Sequence, residues 1–244
     1  MDYFSQFLLS SISSFLLELF AAITGTIFIL KKPNSFKVNK YLVYFLWFTL
    51  FYDTIGGYAP INYFSNSSYF GFVENTPFKD NYWWFNMYMI ISFSFFIYYF
   101  NSFIRNKVIN KWLKLLIALF IITTVINLIY SNIFFNGYSI FTNVTGSIIV
   151  MISIFFYYFD LLKRDDVFAL NRQLPIYISI GVLIYNLTIT PSDIYSQYFN
   201  PYNDTYVKLS GFIVLLANII MYGTFILGFI NTAKSNPNKD KLLN

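Results

Sequence analysis

Two carboxylate side chains lie inside long apolar stretches of the sequence. Glu18 is near the middle of the stretch over residues 7–30, and Asp53 is toward the end of the stretch over residues 41–59. An ionisable group at bilayer depth costs about 2.5–3.5 kcal/mol on insertion scales, so such groups mark function more often than other residues do. Because no lysine or arginine lies at their depth, the two carboxyls must be protonated, pair with each other or bind a cation. A proton-linked switch is therefore chemically possible.

Amide side chains accompany these carboxylates in the other apolar stretches. They lie near the bilayer centre or on the side that the basic residues avoid: Asn86, Asn127, Asn143, Asn186 and Asn218, with Tyr222 one turn after the last. Polar groups in hydrocarbon need partners and therefore face inward. This pattern predicts an outward-opening polar pocket, whose candidate ligand-binding residues are Glu18, Asp53, Asn127, Asn143, Asn186, Asn218 and Tyr222. The alternative is that the amides form interhelical hydrogen bonds, which are worth about 0.6 kcal/mol each.

The residue inventory leaves little for catalysis. The chain has no histidine and no cysteine. Their absence excludes disulfides, thiolate chemistry, zinc sites built on these ligands and catalytic triads that use histidine. We therefore expect no enzyme activity, no catalytic residue, no cofactor and no metal site.

The elements that must position these residues are membrane helices. Of 244 residues, 57% are hydrophobic and only 11% are charged, against about 25% charged in a typical soluble domain. A crossing helix needs about 20 mostly apolar residues. Seven such stretches predict an all-α bundle of seven transmembrane helices that forms one domain over residues 1–244, with spans at residues 7–30, 41–59, 82–103, 112–131, 138–162, 174–194 and 207–230.

The basic residues predict the orientation of this bundle. Of sixteen lysines and arginines, only Lys79 and Lys208 fall on the side of the first residue. Basic loops stay cytoplasmic, so we expect the N-terminus outside and the C-terminus inside, in the cytoplasmic (inner) membrane. The basic loops set the topology and offer a surface to a cytoplasmic protein partner, whereas we do not expect them to bind nucleic acid. The lipid bilayer is the other partner, and no oligomeric state follows from the sequence.

Three further features suggest how the helices are arranged. Small residues share the helical stripe of Glu18, so the first, second and seventh helices are expected to meet around Glu18, Asp53 and Asn218. The connection over residues 60–81 could fold over the outer mouth or stay an idle loop. Asp160 is expected to be a surface acid, and Asp193 is expected to meet water.

The first two helices also carry a family resemblance. The run from Leu17 to Gly25, then Lys31-Lys32, then a helix ending Asp53-Thr54-Ile55-Gly56-Gly57-Tyr58 resembles the opening of small seven-helix membrane proteins common in Bacteroidota-type bacteria. The last helix, with Asn218-Ile219-Ile220-Met221-Tyr222, is similar to theirs. The resemblance implies the seven-helix fold and makes Glu18, Asp53, Asn218 and Tyr222 family features. It implies no activity.

These features together favour a sensor or receptor-like module. Such a module binds a small ligand, a proton or a cation in the outward-facing pocket, where Glu18 and Asp53 supply charge. A small transporter or channel is the first alternative, although the sequence shows no internal repeat of the kind typical of transporters. A non-catalytic scaffold or assembly subunit is the second.

Overall fold

Helices and turns make up the part of the chain that the computed structural model describes, which is residues 3–163, 173–196 and 204–234; for residues 3–10, 196 and 204–207 only the backbone is described. This part contains no strand. Its α-helices are α1 (Tyr3–Lys31), α2 (Lys37–Gly56), α3 (Tyr58–Phe64), α4 (Tyr82–Asn101), α5 (Lys107–Tyr130), α6 (Ile133–Asn136), α7 (Ile140–Leu162), α8 (Leu174–Ser196) and α9 (Asp204–Lys234).

Five of these helices are long and apolar enough to cross a membrane. They are the segments Ser11–Lys31 of α1, Lys107–Tyr130, Ile140–Leu162, Leu174–Tyr195 of α8 and Lys208–Lys234 of α9. The all-α prediction is confirmed for the described residues. Five helices of this length and composition indicate a multi-pass membrane protein. Helices α2 and α4 are each 20 residues long and are not among these five.

Helix α5 begins one turn earlier than the sequence predicts. The Asn106 side-chain oxygen accepts hydrogen bonds from the backbone N–H groups of Val108 (2.9 Å) and Ile109 (3.3 Å). This N-cap satisfies two of the helix's free donors and starts α5 at Lys107 rather than Trp112.

Four of the basic residues from which the sequence predicts the orientation lie outside the described residues: Arg164, Arg172, Lys239 and Lys241.

Six long helices form a closed ring. Helix α1 packs on α2, α2 on α4, α4 on α7, α7 on α8, α8 on α9, and α9 returns to α1. Helix α5 packs against α4 and α7 and lies outside this ring. The ring determines which side chains of distant sequence position can meet.

Aromatic side chains fill the half of the ring that lies toward Lys31, Lys37 and Lys234. Phe96 of α4 and Phe225 of α9 meet across the ring, with ring centroids 6.5 Å apart. The α1–α9 and α4–α7 contacts at this level are also aromatic, and most of their rings are fully buried: Phe28, Tyr99, Phe100, Tyr157, Phe225 and Phe229. The centre of this half is packed with aromatic rings.

The connection between α2 and α4 is ordered. It contains α3 and a 3-10 turn at Gly71–Val73. The buried Asn62 side chain donates to a Glu74 carboxylate oxygen (3.3 Å) and accepts from the Phe70 N–H (3.2 Å). These bonds fold residues 60–81 onto themselves, and a role of this connection as a cover for the outer mouth stays a prediction.

Candidate functional site

A stripe of small residues on α1 brings Glu18 against its neighbouring helices. Ala21 and Ala22 are fully buried on this stripe. A Cβ added to Gly25 would lie only 2.8 Å from Val43 Cγ2 of α2, so the two helices approach more closely than a larger residue permits. Glu18 lies on the same stripe and is 4% exposed.

The Glu18 and Asp53 carboxyls lie close together inside the bundle, near enough for each to affect the charge of the other. Glu18 is 13 residues before Lys31 and Asp53 is 16 residues after Lys37, which places them about 20 and about 24 Å from the basic helix ends. Glu18 Oε2 is buried and receives no hydrogen from any N–H or O–H group of the described residues. Two ionised carboxylates this close repel each other, and a single shared proton would relieve that repulsion.

Two residues of α9 complete this carboxyl pair. The Tyr222 hydroxyl donates to Glu18 Oε1 at 3.3 Å, and both side chains are buried. One turn earlier on α9, the Asn218 amide donates to the Ser14 hydroxyl of α1 at 3.2 Å. The structure therefore brings Glu18, Asp53 and Tyr222 together, with Asn218 beside them on the same pair of helices.

Aromatic side chains of α4 hold the part of α2 that carries Asp53. Trp84 stacks on Tyr52, the residue before Asp53, with ring centroids 4.0 Å apart. The Trp84 indole N–H donates to the Tyr52 carbonyl (2.9 Å), and the Tyr52 hydroxyl donates to the Trp84 carbonyl (2.8 Å). One turn along, the Thr49 and Tyr88 hydroxyl oxygens are 2.8 Å apart. Asp53 is thus tied to the position of α4.

A second polar cluster lies between α7 and α8. Asn143 donates to the Asp193 carboxylate, and the Ser147 hydroxyl is 2.8 Å from both the Asn186 side-chain oxygen and the Thr190 hydroxyl. All but Asp193 are buried. Asp193, which the sequence placed in water, is half-buried and bonded to a neighbouring helix. Sequence reasoning missed Ser147 and Thr190 because hydroxyls are common in membrane helices.

Tyr185 of α8 stands between the two clusters. Its hydroxyl is close enough to Asp193, Asp53 and Glu18 to feel the charge of all three carboxyls. Tyr185 precedes Asn186 in the sequence, so α8 places one side chain near each cluster at the same level of the bundle. The candidate site residues on the ring helices therefore form two neighbouring groups rather than one.

Asn127 lies apart from both clusters, on α5. Its side-chain oxygen accepts from the Ser139 hydroxyl at 3.3 Å. Asn86, fully buried on α4, accepts from the Ser139 N–H (2.9 Å) and donates to the carbonyls of Phe134 (3.1 Å) and Gly137 (2.9 Å). These two amides hold the connection between α5 and α7, as the interhelical hydrogen-bond interpretation expects.

Asp160 is not a surface acid. It is buried near the end of α7 and accepts a hydrogen bond from the backbone N–H of Arg105 at 3.1 Å. Asn39 and Asn101 are also buried in this half, where Asn39 accepts from the Tyr99 hydroxyl at 3.2 Å. Sequence reasoning missed these amides because it treated the inner half as nearly free of polar groups.

Outside the membrane-crossing helices, Glu74 and Lys79 form an ion pair at 2.8 Å. The hydrogen bond from Lys79, followed by that from Ser67, holds the pKa of Glu74 below its usual value, and the Glu74 contact raises the pKa of Lys79. Both side chains keep contact with solvent, so the pair stabilises the α2–α4 connection only modestly.

The described residues contain no group of three or more acidic, histidine or cysteine side chains that could hold a metal ion. Comparisons of the chain with protein-family models, curated proteins and solved structures find no match. The family resemblance carried by the first and last helices therefore stays a prediction, and the function has to be argued from the two polar clusters.

Proposed function

We propose that this protein crosses the cytoplasmic (inner) membrane seven times, with the N-terminus outside and the C-terminus in the cytoplasm. The five apolar helices supply five crossings. Helices α2 and α4 supply the other two, because 20 residues span about 30 Å, which is the thickness of the hydrocarbon core. The lysines that follow α1 and end α9 support the orientation.

Within this topology we propose a sensor or receptor-like module that responds to a proton or a small cation at Glu18 and Asp53. The observation that carries the proposal is the close approach of two buried carboxyls between α1 and α2. Two ionised carboxylates that lie close together repel each other strongly in a medium of low dielectric. The pair is therefore balanced between a bound proton, a bound cation and separation of the two helices.

The contacts of the pair provide a route for a signal. Loss of the shared proton pushes α2 away from α1, and the stacked Tyr52 and Trp84 carry this displacement to α4. Tyr222 carries it to α9, whose last turn ends at Lys234 on the proposed cytoplasmic side. A cytoplasmic partner that docks on the basic loops would read the change.

The packed aromatic core favours sensing over transport. Phe96 and Phe225 meet across the ring on the proposed cytoplasmic side of the carboxyl pair. A site that is closed on this side binds a ligand without passing it across the membrane. A small transporter or channel remains the alternative, and it predicts proton or cation flux by the protein alone.

The experiment uses Trp84 as a reporter in a chain whose other three tryptophans, Trp47, Trp83 and Trp112, are replaced by phenylalanine. We expect its fluorescence in liposomes to change with external pH, and this change to disappear in Glu18→Gln and Asp53→Asn. Asp80→Asn, which removes an exposed acid outside the membrane helices, is the matched control and should keep the response. An unchanged response in both carboxyl variants overturns the proposal, and proton flux measured with an internal pH dye identifies a transporter instead.

A further inference from the structure

The α7–α8 cluster is rich in oxygen atoms that converge on one side chain. Ser147 Oγ lies 2.8 Å from Asn186 Oδ1, 2.8 Å from Thr190 Oγ1 and 3.4 Å from Asn143 Oδ1. Ser147 is fully buried, and the other three are less than a tenth exposed. The carboxylate of Asp193 adjoins them through its bond with the Asn143 amide.

Two amide oxygens of the cluster share one hydrogen atom. Ser147 has one hydroxyl hydrogen but stands within bonding distance of two amide oxygens, so it can serve only one of them at a time. Thr190 uses its own hydrogen on Ser147, and one hydrogen of the Asn186 amide goes to the Val182 carbonyl at 2.8 Å. When the Ser147 hydrogen goes to Asn186, the side-chain oxygen of Asn143 keeps a lone pair that a bound cation can take.

The charge and ligand types define the class of cation. Hard cations take carboxylate, amide and hydroxyl oxygens, and divalent sites gain affinity from additional carboxylates. The five side chains Asn143, Ser147, Asn186, Thr190 and Asp193 hold one carboxylate, so the set carries a single negative charge.

The set lies near the outer ends of its two helices. Asn143 is three residues from the start of α7 and Asp193 is three residues before the end of α8, each about 5 Å from the outer end of its helix.

We propose that these five side chains bind a monovalent metal cation, with sodium as the physiological ion, at the outer end of the α7–α8 pair. The site goes beyond the proposed function, because neither Glu18 nor Asp53 contributes an oxygen atom to it. The bound ion coordinates the Ser147 hydroxyl together with amide oxygens of α7 and α8, and so it fastens the two helices to each other.

The test is thermal unfolding of the full chain in detergent micelles, with NaCl titrated against choline chloride at constant total salt. A ligand that binds only the folded protein raises the Tm, so we expect the Tm to increase with sodium. The increase should be lost in Asp193→Asn and in Ser147→Ala; the second variant keeps the carboxylate and so keeps the test valid if the first does not fold. Asp80→Asn, which removes an exposed acid that is not among these five side chains, should respond as the wild type does.

Three results overturn the site. One is a wild-type Tm that does not depend on sodium, and another is an undiminished dependence in Ser147→Ala. Stabilisation by Ca²⁺ at lower concentrations than sodium contradicts the monovalent assignment. The fluorescence response at Glu18 and Asp53 is measured separately, so failure of one proposal leaves the other intact.

Discussion

The hydrogen bond from Tyr222 to Glu18 allows a quantitative test of the carboxyl pair. Tyr222→Phe removes only the hydroxyl that lies 3.3 Å from Glu18 Oε1. Side-chain hydrogen bonds inside membrane proteins average about 0.6 kcal/mol and reach about 1.7 kcal/mol. This bond is longer than the optimum, which weakens it, but both groups are buried and no solvent replaces it, which strengthens it. We therefore expect a coupling free energy of about 1 kcal/mol, a factor of about five in the unfolding equilibrium constant.

A double-mutant cycle with Glu18→Met measures this coupling. The unfolding free energies of the wild type, the two single variants and the double variant are obtained by steric trapping in bicelles. Glu18→Gln is the matched control, because its side-chain oxygen still accepts from the Tyr222 hydroxyl and the coupling should persist. If Tyr222→Phe costs the same in the Glu18→Met background as in the wild type, the two groups do not interact and the geometry of the pair is wrong.

Three further perturbations test the packing and the outer connection. Gly25→Ala places a Cβ 2.8 Å from Val43 Cγ2, so we expect a loss of about 1–3 kcal/mol in the free energy of unfolding, measured by steric trapping. The folded-state pKa of Glu74 is lowered, so its bond with Lys79 stabilises the α2–α4 connection at neutral pH. This stabilisation is lost as the pH falls through the folded-state pKa. Hydrogen exchange of the connection should therefore become faster at low pH in the wild type and show no such pH dependence in Glu74→Gln. Asn86→Ala leaves buried backbone groups without partners and should cost about 1–3 kcal/mol, whereas a cost near zero in the same unfolding assay contradicts the bonds described.

Much of the carboxyl pair could be predicted from the sequence. Helical periodicity places Glu18 on the stripe of Ala21, Ala22 and Gly25, and the distance to the following lysines fixes its depth. Asp53 is at a similar depth on the next helix along the chain. Consecutive helices are usually neighbours, so these two facts are enough to expect a meeting.

The second cluster and the position of Asn127 could not be predicted in the same way. Depth alone gives Asn127 and Asn143 the same status, but α5 lies outside the ring and α7 lies within it. That difference depends on contacts among α4, α5 and α7, which no periodicity within a single helix specifies. The wrong prediction for Asp160 has the same origin. Its position near a basic helix end suggested that it lies at the surface, whereas the connection between α4 and α5 folds over it and supplies the Arg105 N–H.

The closure of the ring by α1 and α9 has a consequence for the biosynthesis of the protein. Tyr222 follows Glu18 by 204 residues, so at about 5–20 residues per second the ribosome needs roughly 10–40 s to make the partner of a carboxyl already in the membrane. During that interval Asp53 of α2 is already made, so it is the polar neighbour that can accompany Glu18 before the ring is closed. The pair then forms early in assembly. A chain with Glu18→Lys should still insert α1 beside α2. A chain with Asp53→Leu should leave a lone acid in the lipid and be recognised by membrane quality control.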